Sequence, residues 1–400
     1  MSDSTISNST VGIQRSRLAD RVGNVHQTAL RRISARCAEI GGVNLSQGVC
    51  DVDPPPEILT AVKTAIDDGR AAYSNLSGIV ELREAIARKL QSFNGISADP
   101  MREIAVTVGA AGAFACVAMA TLNPGDEVVV FSPFYSYYTD TLALLDVKVR
   151  FVATHPPDWS YDAADLRDAF GPKTKMVVIN TPSNPTGKVF SRDELAEIAA
   201  LAKAHDALIV SDEIYEYITF DAEHVSVATL PDADNRTITL SGASKAYAVT
   251  GWRVGYAVGP ADIVEKMLVV NDLFYICAPT PLQYGVLAGM ELPDRYYAEL
   301  RSDYRAKRDL LADTLRTIGF TPFMPQGAFY MMADFGAGRF PNSMAAAEEI
   351  LESVGVASVP GAPFHAIPAE GETQLRFCFA KRWDDLKEAC RRLTGLRSSS

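Results

Sequence analysis

The chain has 400 residues, more than one hydrophobic core usually organises, so two domains are expected. With 48% hydrophobic and 22% charged residues, 27 Gly and 22 Pro, it is neither collagen-like, low-complexity nor globally disordered. Its 38 basic and 49 acidic side chains give a net charge of −11, which lacks the footprint of a general nucleic-acid binder but leaves room for a local basic pocket.

The first dozen residues are Ser/Thr/Asn-rich, carry no apolar core of a signal peptide and, like the Gly395–Ser400 tail, are expected to be mobile. From Ser77 to Leu90, Ile79, Leu82, Ala85, Ile86 and Leu90 recur at a helical period. The run Ala105–Val108 then leads into Gly109-Ala-Ala-Gly-Ala113, which opens a helix reaching Leu122. The turn Asn123-Pro-Gly-Asp126 precedes a strand at Glu127–Phe131, and Met176–Asn180 is a second buried strand. Ser191-Arg-Asp-Glu194 carries the capping-box signature of the next helix. Ala207–Ser211, Thr237–Leu240 and Gly255–Gly259 are further strands, and Phe329–Ala333 with Gln374–Phe379 suggest a smaller α+β unit. Short apolar strands separated by helices predict an α/β fold with a mostly parallel sheet covered on both faces.

Chemistry in such sheets sits beyond the carboxyl ends of the strands. Asn184, Asp212 with Tyr215, and Lys245 each follow a different strand and so converge there. No apolar run approaches a membrane span. The six cysteines are far apart without a CxxC pair, and the five histidines are scattered. They predict reduced thiols, a cytoplasmic protein and no metal site.

The most informative stretch is Ser241-Gly-Ala-Ser-Lys-Ala-Tyr-Ala-Val-Thr-Gly-Trp-Arg-Val-Gly255. A lysine follows a strand and a run of small residues, and an arginine stands eight positions on. Small residues allow close backbone approach, and the guanidinium fork suits phosphate. An isolated lysine of this kind is more often on the surface, but Asn184, Asp212 and Tyr215 reverse that reading.

Across Gly242–Gly255 the segment resembles the lysine signature of class-I/II pyridoxal-phosphate-dependent aminotransferases (fold type I, aspartate aminotransferase superfamily), and the resemblance spans roughly residues 20–390. It implies a large pyridoxal 5'-phosphate-binding domain at 49–295 and a small C-terminal domain at 296–400. Residues 1–48 would form an N-terminal arm and part of the small domain. By this resemblance Lys245 is the Schiff-base lysine and proton carrier, and Asp212 pairs with the ring nitrogen. Asn184 and Tyr215 donate to the phenolic oxygen, and Asn184-Pro185 is expected cis.

Ala110, Ala111, Ser244 and Arg253 would cradle the phosphate. Ser241 is a further candidate hydroxyl, because Gly242 stands where relatives often have one. Tyr135 would stack on the ring. Arg376 would fork the substrate carboxylate beside Asn184 and the backbone of Gly48. Tyr73 would reach the phosphate of a neighbouring subunit, which implies a homodimer with shared active sites.

The reaction implied is ping-pong transfer between an amino acid and a 2-oxo acid, without nucleic-acid or membrane partners. Ala111 stands where some aspartate-preferring relatives have a lysine. With Tyr135, Tyr138, Phe274 and Tyr275 it points to a neutral or aromatic donor. The same scaffold also supports C–S or β-lyase, cyclase or synthase, decarboxylase and oxidative deaminase chemistry. A non-catalytic sensor domain is the rival of another kind, but the stretch before Val43 is short for the DNA-binding domain such sensors carry.

Overall fold

Seven strands form one sheet in the computed structural model, which describes residues 19–22, 29–233 and 235–396. The first dozen residues and the last four, expected to be mobile, lie outside the described residues. Across the sheet the strands run Ile104–Thr107, Gly255–Val258, Thr237–Gly242, Leu208–Asp212, Thr174–Asn180, Glu127–Ser132 and Lys148–Ala153. All are parallel except Gly255–Val258, which is antiparallel to both neighbours.

Alternation along these strands feeds two cores. Val128, Val130, Met176, Val178 and Val210 pack under Phe114 and Val117 of the helix Gly109–Thr121. Val129, Val177, Ile179 and Ile209 face the other way, toward Leu195 and Ile198 of the helix Arg192–Ala204. The predicted capping box opens that helix: Ser191 Oγ accepts from the Glu194 amide at 3.3 Å, and Glu194 Oε2 accepts from the Ser191 amide at 2.8 Å.

The helix expected from Ser77 begins instead at Val80. Gly78 has a left-handed φ of +94°, which cannot continue a helix, and the Ile79 amide donates to Gln283 Oε1 at 2.9 Å. The sheet also has an unpredicted edge strand, Lys148–Ala153, half of whose residues are exposed.

In the last quarter, Val359–Pro360, Gln374–Cys378, Tyr330–Asp334 and Thr321–Phe323 form an antiparallel sheet. Its core joins Phe329 and Phe377 to Leu311 and Leu315 of the 24-residue helix Asp294–Thr317. The N-terminal segment returns to this unit. Val43–Asn44 pairs in parallel with Val356–Ala357, and the Cys378 amide donates to the Leu45 carbonyl at 2.7 Å. That pairing sets the loop Ser46–Gly48 beside the strand of Arg376. All six cysteines are free. Among the described residues no helix is long and apolar enough to cross a membrane.

Candidate active site

A cleft of about 760 Å³ opens at the carboxyl ends of the parallel strands, between the large sheet and the smaller unit. It gathers twelve of the residues singled out in the sequence: Gly48, Ala110, Ala111, Tyr135, Tyr138, Asn184, Asp212, Tyr215, Ser244, Lys245, Arg253 and Arg376. Tyr73 lies outside it and is 78% exposed.

Lys245 follows the strand Thr237–Gly242 on the short helix Ala243–Ala246. Its Nζ donates to the Gly48 carbonyl at 2.9 Å. Burial pushes its pKa below the ordinary lysine value; the Arg253 charge acts in the same direction, and Asp212 opposes it. Gly48 is required for this approach, since a Cβ there would collide with the Tyr330 hydroxyl.

Asp212 ends the neighbouring strand and is almost fully buried. Its Oδ2 accepts from Tyr138 Oη at 2.6 Å and Tyr137 Oη at 3.2 Å, and its Oδ1 accepts from the Ile214 amide at 3.2 Å. Burial nonetheless raises its pKa above the usual carboxyl value. A cation held against it would be stabilised. Tyr215 turns into the same space with its hydroxyl 3.0 Å from that of Tyr330.

Asn184 follows the strand Thr174–Asn180 in a turn whose Asn184-Pro185 bond is cis, as expected. Its Oδ1 accepts from Arg376 Nη1 at 2.7 Å, which leaves the amide NH₂ as the donor. Arg376 Nη2 donates to the Ser46 carbonyl at 2.7 Å, and its buried Nε has no partner among the described residues. The guanidinium lies between the rings of Tyr330 and Phe364, at 4.5 and 4.8 Å from their centroids. This buried cation still has donors to offer a carboxylate.

At the other end, Ala110 and Ala111 stand in the first turn of the helix Gly109–Thr121 beside Ser244 and Arg253. A Cβ at Gly109 would come 2.6 Å from Arg253 Nη2, and one at Gly255 would come 2.6 Å from the Gly109 carbonyl carbon. Both glycines are therefore needed to bring helix amides, hydroxyl and guanidinium together, a donor set suited to phosphate. Donors for a phosphate, a lone carboxylate, phenol and amide donors, and a depressed amine in one cleft match the polar groups of pyridoxal 5'-phosphate.

Several sequence readings change here. Ser241 is not a phosphate ligand, because its Oγ donates to Glu216 Oε1 at 2.6 Å on the side away from the cleft. Tyr138 lines the cleft, but its hydroxyl is taken up by Asp212. Phe274, 62% exposed, and Tyr275 lie outside the cleft. Glu213, next to Asp212, is fully buried and pairs with His224 Nε2 at 2.9 Å. Arg31, Gln47, Tyr137 and Tyr330 line the cleft without having been singled out. For Tyr330 a signal existed in the strand Phe329–Ala333; Arg31 had none.

The family model described as aminotransferase class I and II matches residues 40–393. A probable N-succinyldiaminopimelate aminotransferase of Mycobacterium tuberculosis is 37% identical over 382 residues, covering 92% of this chain and 96% of that protein. The solved structure of the Mycobacterium tuberculosis enzyme superposes with a TM-score of 0.91 at 36% identity, covering 95% of this chain and all of the other. An aspartate/prephenate aminotransferase of Thermus thermophilus is 36% identical over 384 residues, 94% of this chain and 97% of its own. A structure from Escherichia coli with a methionine aminotransferase function gives a TM-score of 0.91 at 29% identity, over 95% of this chain and all of that one. The match over nearly the whole chain and the cleft it encloses agree: this protein belongs to the aminotransferase class I and II family and is a pyridoxal 5'-phosphate-dependent aminotransferase.

Proposed function

We propose that this aminotransferase works by a ping-pong exchange between a neutral or aromatic amino acid and a 2-oxo acid, with the cleft residues in the following roles. When bound, pyridoxal phosphate supplies an aldehyde for the donor amine and a ring that takes up the electrons of the broken Cα bond. Lys245 tethers the cofactor and, as a neutral amine, takes and returns the proton at the substrate Cα. Its buried setting, hydrogen-bonded to a carbonyl rather than to a carboxylate, is the observation that carries this reading.

Asp212, oriented by Tyr137 and Tyr138, holds the ring-nitrogen proton. Asn184 Nδ2 and Tyr215 Oη donate to the phenolic oxygen; the Arg376–Asn184 bond fixes which end of the amide faces it. Arg253, Ser244 and the amides of Ala110 and Ala111 bind the phosphate, and Tyr135 covers the ring. Arg376, with Asn184 and the backbone at Gly48, binds the substrate carboxylate.

The donor assignment rests on Ala111 and Tyr135, neither of which offers a second cation to a distal carboxylate; Arg31, which also lines the cleft, is the cation that a preference for aspartate would implicate. Half-transamination tests the whole scheme: candidate amino acids are added to the purified holoenzyme, and the visible cofactor band is followed as it converts to the pyridoxamine form. Comparing kcat/KM for phenylalanine, methionine, alanine and aspartate tests the donor class, and a clear preference for aspartate would overturn it.

A homodimer is supported by one exposed apolar face. Leu273, Phe274 and Ile276 are 77%, 62% and 43% exposed. The loop of Tyr73 is tied to the helix that follows them, Thr280 Oγ1 donating to the Ala72 carbonyl at 2.7 Å. Tyr73, outside its own cleft, would donate to the phosphate of the second copy. Tyr73→Phe should then weaken cofactor retention about tenfold in equilibrium dialysis, the worth of one hydrogen bond to a charged group. A fully active monomer in sedimentation would contradict the shared site. The free, separated cysteines fit a cytoplasmic enzyme.

A further inference from the structure

On the side of the Asp212–Glu216 turn away from the cleft lies a buried polar network that the roles above leave unused. Asp212 and Tyr215 line the cleft, whereas Glu213 and Glu216 do not and are buried. Glu216 Oε1 lies 2.6 Å from Lys89 Nζ and accepts from Ser241 Oγ at 2.6 Å; its Oε2 accepts from Asn94 Nδ2 at 2.8 Å. Both side chains of the ion pair are nearly inaccessible, at 8% and 3%. Lys89 Nζ also donates to Tyr256 Oη at 3.1 Å and lies 5.2 Å from the ring centroids of Phe93 and Tyr217. Glu213 accepts from Ser211, Ser226 and the Val227 amide and meets His224 Nε2 at 2.9 Å. Glu213, Glu216 and His224 are close enough to hold a metal ion, but every oxygen of both carboxylates already has a protein partner.

A fully buried ion pair seldom adds net stability over a well-packed apolar filling, so what this pair connects matters more than its strength. Glu216 directly follows Tyr215 and is four residues after Asp212; Ser241 is four residues before Lys245. The backbone pairing of the two strands ends at Asp212 with Leu240, followed by one bond from the Glu213 amide to the Leu240 carbonyl at 2.8 Å. Beyond that point the Ser241–Glu216 bond carries the connection onward.

We propose that Glu216, held by Lys89, is a positioning residue: it locks the turn bearing Asp212 and Tyr215 to the strand that delivers Lys245. The separation between the amine and the groups facing the ring nitrogen and phenolic oxygen is thereby fixed. This rests on the roles proposed above for those three residues. A misplacement of about 1 Å in such a constellation costs up to a hundredfold in rate.

The test compares Glu216→Ala, Lys89→Met and the double variant Lys89→Met/Glu216→Gln as holoenzymes. Four quantities are measured: kcat, KM, the dissociation constant of pyridoxal phosphate and the pH midpoint of its visible absorption. Each single variant is expected to lose about tenfold in kcat with KM within about threefold, and to shift the absorption midpoint. The double variant, which buries no charge and still offers Ser241 an acceptor, is expected to recover most of the loss. Single variants that melt earlier yet keep wild-type kcat and absorption midpoint would make the network a packing feature and overturn the proposal.

If Lys89→Met does not fold, Ser241→Ala decides, since it removes one hydrogen bond and leaves the ion pair. A smaller fall in kcat with a shifted midpoint supports the proposal, and wild-type values overturn it. Borohydride reduction of the wild-type holoenzyme separates the two readings. An unlabelled Lys245 would remove the site assignment itself, whereas a labelled Lys245 with unaffected variants would remove only the role of Glu216.

Discussion

The floor of the cleft and the interior of the helix Asp294–Thr317 each bury a lysine, in opposite company. Lys307 is 2% exposed and its Nζ lies 2.7 Å from Asp303 Oδ2, with the rings of Tyr304 and Trp383 each 5.5 Å away. Lys188 and Lys89 follow the same pattern, with Glu194 at 2.7 Å and Glu216 at 2.6 Å. Lys245 meets a carbonyl, with a guanidinium in its neighbourhood. A carboxylate partner favours the charged form of a buried amine, whereas burial without one favours the neutral form, the form able to act as nucleophile or base. Burial alone therefore does not mark a reactive lysine; the missing counter-charge does.

The largest expected effect comes from removing the unpaired member. Lys245→Ala should lower turnover by about three orders of magnitude or more while the phosphate and ring contacts still retain pyridoxal phosphate, which borohydride no longer fixes to the chain. Near-normal turnover would end the distinction drawn between the two lysines.

Asp212→Asn should lower kcat about a hundredfold, as loss of a preorganised charge does, and also carries a stability signature in the apo enzyme. Burial raises the native pKa of Asp212, so the native state binds its proton more tightly than the unfolded chain. Apo stability then declines as pH rises from the ordinary carboxyl range through the raised native value. The asparagine variant should lack that part of the decline and melt higher than the wild-type apo enzyme at neutral pH, as scanning calorimetry would show. An unchanged or lower melting temperature would mean that the tyrosine hydroxyls compensate the burial fully.

The smallest effect is expected for Lys307→Met, which keeps the shape and removes a pair whose carboxylate is 37% exposed. A loss of about 1 kcal/mol in chemical denaturation with unchanged kcat is expected. A loss of turnover would show that this helix is coupled to the cleft.

What the sequence disclosed follows from how local the chemistry is. The Gly242–Gly255 segment carries its small residues, lysine and arginine in one stretch, and Asp212 and Asn184 each closely follow an apolar run, so all were legible without knowing how the strands are ordered. The partners that tune them were not. Tyr138 meets Asp212 across 74 positions and Arg376 meets Asn184 across 192, separations at which no spacing rule operates. The strand Lys148–Ala153 escaped because an edge strand with exposed Lys148 and Arg150 neighbours lacks the continuous apolar run of its inner companions. Helix termini, by contrast, are governed by a few adjacent groups, and Ser191 and Glu194 revealed one directly.

The single reversed strand has a consequence for how this site can be rearranged. Gly242 and Gly255 face each other as antiparallel partners, and Lys245 and Arg253 both lie on the connection between them. The amine proposed to tether the cofactor and the guanidinium proposed to bind its phosphate are thus held by one closed loop of chain rather than by the docking of distant segments. Cutting and rejoining the polypeptide elsewhere, in a circular permutant or a split enzyme, should leave their spacing untouched. A single residue inserted between Ala246 and Trp252 would alter it at once. The two anchors form an inseparable module.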